Sequence, residues 1–90
     1  MNIKFDLTMI KQLRDEYQLL QFDICRLLKV SDVSYRLWEL RIRKPSDTHL
    51  ANLKNLFNIL ELHRIEIQSR EDALNFLEKE FVLIENGKNR

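Results

Sequence analysis

A chain of ninety residues with one glycine, Gly87, and one proline, Pro45, has few places to turn freely. Between those breakers the apolar residues recur at three- and four-residue intervals, which predicts a mostly α-helical body with tight joints. Thr8 is suited to cap a first helix that carries Ile10, Leu13 and Tyr17 on one face. A second helix from about Leu20 to Leu28 places Ile24, Cys25 and Leu28 in one stripe. Ser31 caps a third, Asp32 to about Leu40, with Tyr35 and Trp38 inward and Asp32 favourably placed in the first turn. Pro45 interrupts the chain, and Ser46 or Asp47 caps a fourth helix faced by Leu50, Leu53, Leu56 and Phe57.

After Asn58 the period changes. Leu60, Leu62, Ile65 and Ile67 intermix with Glu61, His63 and Glu66, and the run 65–67 alternates as a strand does. Ser69 to Asp72 has the form of a capping box with Asp in place of Glu, opening a helix with Ala73, Leu74, Leu77 and Phe81 on its core face. Phe81 to Ile84 reads as a second short strand, and 87–90 as a flexible tail. The expected division is a body over 1–60 and a small extension over 61–86, within the size of one core.

Charge separates the same two parts. Residues 1–60 hold ten basic and seven acidic side chains, whereas 61–85 hold three basic and seven acidic. The densest basic stretch is 26–44, where Arg26, Lys29, Arg36, Arg41, Arg43 and Lys44 face only Asp32 and Glu39. That asymmetry points to a basic working surface and an acidic part with another task. With 44% hydrophobic and 32% charged residues, the chain has a globular rather than a disordered composition. No apolar run approaches the roughly 18 residues of a membrane span, and no secretory leader is evident, so a cytoplasmic location is expected. The single cysteine, Cys25, has no internal disulfide partner and reads as a small thiol where two helices cross.

The stretch from Leu7 to Leu60 resembles the Cro/repressor-type (Xre) helix-turn-helix family. The residues that carry the resemblance are Leu13-Arg14, Leu19, Gln21, Ile24, Leu28, Val30-Ser31, Trp38-Glu39, Arg43-Lys44-Pro45-Ser46 and the Leu50, Leu53, Leu56 ladder. It implies a mainly α bundle of four to five helices with a small C-terminal extension. It also implies a homodimer on double-stranded DNA, and operator binding with repression, in the expected case of its own operon. By the same resemblance Gln21, Ser31, Arg41, Arg43 and Lys44 meet the DNA backbone, Asp32, Val33, Arg36 and Leu37 face base edges, and Ser34 is a further DNA-binding position. Arg36 suits guanine, Asp32 accepts only from cytosine, and Val33 and Leu37 offer apolar contact to thymine methyls. The family usually has glycine where this chain has Gln18, Lys29 and Arg41.

Residues 60–67 further resemble the strand that follows the helical body in antitoxins of the Hip kind, where it pairs across the dimer. On that basis Leu62, Ile65, Ile67, Leu74, Leu77 and Phe81 are expected at a dimer or partner surface, and a cognate toxin protein is a further candidate partner. A third reading is a helix-turn-helix fold that binds only protein, supported by the two apolar residues and one acid among the readout positions. Phe22 and Leu27 lie off the core stripe, so they either pack on the extension or form a partner patch. Catalysis is not expected. No Gly-rich phosphate loop or nucleophile with a matching base is present, and the adjacent acids Asp15/Glu16 and Glu71/Asp72 diverge on a helix. His49 and His63 lack companions at metal-ligand spacing, so neither metal, cofactor nor small-molecule substrate is expected.

Overall fold

The computed structural model describes residues 7–84, which form five α-helices after a single 3-10 turn at Leu7–Met9. The helices are α1 (Ile10–Glu16), α2 (Gln21–Leu28), α3 (Asp32–Glu39), α4 (Asp47–Leu62) and α5 (Arg70–Glu80). Each start has a local cause. Met9 precedes α1 without a side-chain cap, so the expected Thr8 cap gives way to the 3-10 turn. The Leu20 N–H donates to Asp23 Oδ2 at 2.8 Å, half of a capping box at the head of α2. Ser31 Oγ accepts from the Ser34 N–H at 3.1 Å, and Ser46 Oγ from the His49 N–H at 3.2 Å. Ser69 Oγ accepts from the Asp72 N–H at 3.2 Å, while Asp72 Oδ2 accepts from the Gln68 N–H at 3.0 Å, one residue earlier than the usual box.

The joints turn without glycine. Gln18, Lys29 and Arg41 adopt φ of 61°, 58° and 62°, the left-handed region, at the ends of α1, α2 and α3. A side chain with a Cβ costs roughly 1–2 kcal/mol there. The core meets that cost, because Ile10, Leu13, Tyr17, Leu19, Ile24, Cys25, Leu28, Tyr35 and Trp38 are all buried in one cluster with Leu53, Leu56, Phe57 and Leu60.

Two expectations for the extension are corrected. Residues 60–62 complete α4 and 63–66 turn, so no strand forms there; the N–H of Ile67 instead donates to the His63 carbonyl at 3.1 Å. Residues 81–84 are irregular, and the Ile84 N–H donates to the buried Asn52 side-chain oxygen at 2.8 Å, laying this segment along α4. The helical continuation has a physical reason: Ile59 and Leu60 are enclosed by the core, and an α4 ended at Asn58 would lose that burial. The expected boundary at residue 60 therefore falls inside a helix, and Ala73 and Leu77 of α5 belong to the same core. Leu77 is fully buried within the chain, which removes it from the expected partner surface. Leu74, Ile67 and Phe81 are partly buried against that core, whereas Leu62 and Ile65 are exposed.

Candidate nucleic-acid interface

The spacing Tyr35, Trp38, Glu39 is i, i+3, i+4, so one face of α3 turns inward and the other outward. Tyr35 and Trp38 meet edge to face with ring centroids 5.8 Å apart, and His49 of α4 packs on Trp38 at 5.2 Å. With the inner face anchored, Ser31, Asp32, Val33 and Arg36 are exposed on the outer face, and Ser34 and Leu37 are half-buried beside them. The segment 81–84 lies on α4 and leaves that outer face open. Arg41, Arg43 and Lys44 are exposed on the following loop and form no ion pair among the described residues.

The polar network that holds this face out was not foreseen. Arg14 binds Glu39 in a bidentate pair, Nε to Oε2 at 2.7 Å and the second guanidinium nitrogen to Oε1 at 3.1 Å, and also donates to the Leu19 carbonyl at 3.0 Å. Both side chains are nearly excluded from solvent. Burial by itself pushes the Glu39 carboxyl up, but hydrogen bonds from Arg14 and Gln21 outweigh it and hold the group below its usual range. Burial, followed by the neighbouring Glu39 carboxylate, raises Tyr35 far out of the titrating range, so it stays a neutral core phenol. A signal existed in the sequence. Arg14 and Glu39 each occupy the i+4 position of an apolar stripe, after Ile10 and Tyr35, where a charge can sit only if it is paired.

Gln21 makes a contact within the chain that the sequence did not suggest. Its Nε2 donates to Glu39 Oε1 at 2.8 Å, so the side chain braces α2 against α3. The hydroxyls of Ser31 and Ser34 lie 3.0 Å apart and bond each other at the head of α3. Asp32 and Arg36 form a long i, i+4 ion pair of 3.9 Å on the exposed face, weak enough to open toward another partner.

Between α2 and α3 runs an open groove of about 650 Å³ lined by Gln21, Phe22, Cys25, Arg26, Lys29, Val30, Asp32 and Arg36. Its floor is apolar and its rim basic. Burial keeps the Cys25 thiol protonated and unreactive by pushing its pKa up. Phe22 stands 65% exposed beside this groove, whereas Leu27 turns the other way and shares a cleft with Leu77, Phe81, Val82 and Leu83. Leu27 thus packs on the extension and Phe22 does not.

The extension is fastened to the same helix. Arg70 grips the buried Asp23 carboxylate with two hydrogen bonds of 2.8 and 2.7 Å, and Glu78 lies 3.5 Å from Arg26. Burial would raise the Asp23 carboxyl, but Arg70 and the Leu20 N–H more than compensate and hold it below its ordinary value. Among the described residues no cluster of His, Cys, Asp or Glu is arranged to hold a metal ion, and no helix is long and apolar enough to cross a membrane. Comparison with protein-family models, curated proteins and solved structures returned no match.

Proposed function

We propose that this chain is a sequence-specific double-stranded DNA-binding repressor that works in the cytoplasm as a homodimer and controls its own operon. The observation that carries the reading is the outward face of α3, where Asp32, Val33 and Arg36 stand clear of the core beside the cations Arg41, Arg43 and Lys44, which form no ion pair among the described residues. A single short helix held by buried partners matches the width of the B-DNA major groove. The flanking loop cations are suited to phosphates, which supply most of the affinity without specifying sequence. In a two-fold dimer such helices reach successive major grooves about 34 Å apart.

Binding to operators selected from a random duplex pool tests the reading. Arg36→Ala should cost roughly 1–3 kcal/mol on the selected site and relax selection at one base pair. Unchanged affinity and unchanged selection would remove α3 as the reading element. Loss of Arg43 or Lys44 should instead weaken all duplexes alike and flatten the salt dependence.

A second reading, a fold used for protein docking, draws on the exposed Phe22 and the apolar floor of the groove. An antitoxin would combine both tasks, holding a toxin through the acidic extension while its helix-turn-helix face binds the operator. The two separate by salt. A steep fall in duplex affinity between low and moderate ionic strength belongs to DNA binding, and its absence to protein docking alone. Co-purification with the product of an adjacent gene would assign the antitoxin task.

A further inference from the structure

The left-handed joints are not equivalent in what they carry. Gln18 lies away from the α2–α3 groove, lining a cleft with Glu16, Tyr17, Arg64 and Ile67. Lys29 closes α2 in the left-handed region with φ 58° and lines the groove together with Arg26 and Arg36. Those two arginines each face a carboxylate of their own chain, Glu78 at 3.5 Å and Asp32 at 3.9 Å. Lys29 is exposed and forms no ion pair among the described residues. The groove's uncompensated positive charge therefore rests on a residue whose backbone conformation is unfavourable for any side chain with a Cβ.

We propose that Lys29 is a DNA phosphate-binding residue, and that the strained lysine at this joint gives up folding stability for a cation at the groove. The inference rests on the DNA-binding reading and adds to it a contact and a trade-off. Strain of this kind persists where the surrounding structure over-determines it, and here Cys25, Leu28 and Val30 pack the joint from within. Glycine at 29 would relax the backbone and remove the charge at once. Stability and binding should then move in opposite directions, which a lysine serving only as surface charge would not produce.

The experiment measures thermal midpoints and affinity for mixed-sequence duplex DNA over a series of salt concentrations. The proteins are the wild type, Lys29→Gly, Lys29→Asn and Gln18→Gly. Lys29→Gly should raise the midpoint by a few degrees, weaken binding roughly fivefold to tenfold near 0.1 M salt, and lower the salt slope by about 0.9, the share of one phosphate. Lys29→Asn, which tolerates the left-handed region, should show the same binding loss and guards against a folding artefact in the glycine variant. Gln18→Gly should gain stability and bind as the wild type does. Wild-type affinity and slope in both Lys29 variants would overturn the inference while leaving DNA binding intact. A wild-type protein without salt-dependent duplex binding would overturn the parent reading and this inference with it.

Discussion

At the scale of the residue, the chain accepts backbone strain at three helix joints built without glycine. Gln18, Lys29 and Arg41 are all left-handed, so the joints keep their geometry and the side chains bear the cost. Gln18→Gly isolates that cost away from the basic groove. Relief of about 1–2 kcal/mol is partly offset by the extra freedom glycine gains in the unfolded chain, leaving a net stabilisation of about 0.5–1 kcal/mol. Chemical denaturation of the pair measures it, and a destabilised variant would mean that the Gln18 side chain makes a contact worth more than the strain. These positions were legible as exceptions in the sequence. Their conformation was not, because a non-glycine residue turns left-handed only when its neighbours are already packed.

At the scale of the element, α3 is positioned by charge as much as by apolar packing. The Arg14–Glu39 pair joins α1 to α3, and Gln21 adds α2 to the same carboxylate. Arg14→Ala strands a buried carboxylate and Glu39→Ala a buried guanidinium, so each should cost roughly 3–5 kcal/mol. The double variant should cost much less than the two together, because neither then leaves an uncompensated charge. Additive losses in a double-mutant cycle would dissolve the pair as a unit. A second ionic joint lies where α4 ends. His63 stacks on Phe76 at 4.0 Å, with Nδ1 3.0 Å from Glu66 Oε1 and Nε2 2.8 Å from Glu80 Oε2. The hydrogen bond to Glu66, then the ion-pair contact with Glu80, raises the imidazole above its ordinary 6.5. A group raised on folding stabilises fully below its unfolded value and ceases to do so as pH climbs through the folded one. Midpoints measured on either side of neutrality should therefore fall with rising pH above 6.5, and Glu80→Gln should shrink that dependence. A variant with the full wild-type dependence would place the titration elsewhere.

At the scale of the whole molecule, the acidic extension is part of the body. Ala73 and Leu77 complete the core formed with α4, and Asp23–Arg70 ties α5 to α2 across 47 residues of sequence. Unfolding should then be a single transition, with Trp38 fluorescence and far-ultraviolet circular dichroism giving coincident curves. Separate transitions would show that α5 detaches before the body melts. Because Asp23 is depressed on folding, its contribution is present above the ordinary value of 3.8 and is lost as pH falls through the lower folded one. Asp23→Asn should lower the midpoint near neutrality and flatten its decline in acid. If the decline is unchanged, other carboxylates such as Glu39 govern acid unfolding.

The helical body, four of its five starts and the inward-facing Tyr35 and Trp38 were determined by the sequence alone, because caps and three-to-four spacing act over one or two turns of chain. The outward placement of Arg36 follows from the same periodicity. Only the tertiary structure decided that α4 runs through residue 62, that no strand forms at 60–67 and that Leu77 packs within the chain rather than at a partner surface. It also decided that Gln21 serves Glu39 and that Asp23 meets Arg70. An alternating apolar run suits a strand or the end of a buried helix equally well, and the choice falls to whichever arrangement buries Ile59 and Leu60 while satisfying the backbone. Partners 25 and 47 residues apart are chosen by packing in three dimensions, which local spacing does not encode.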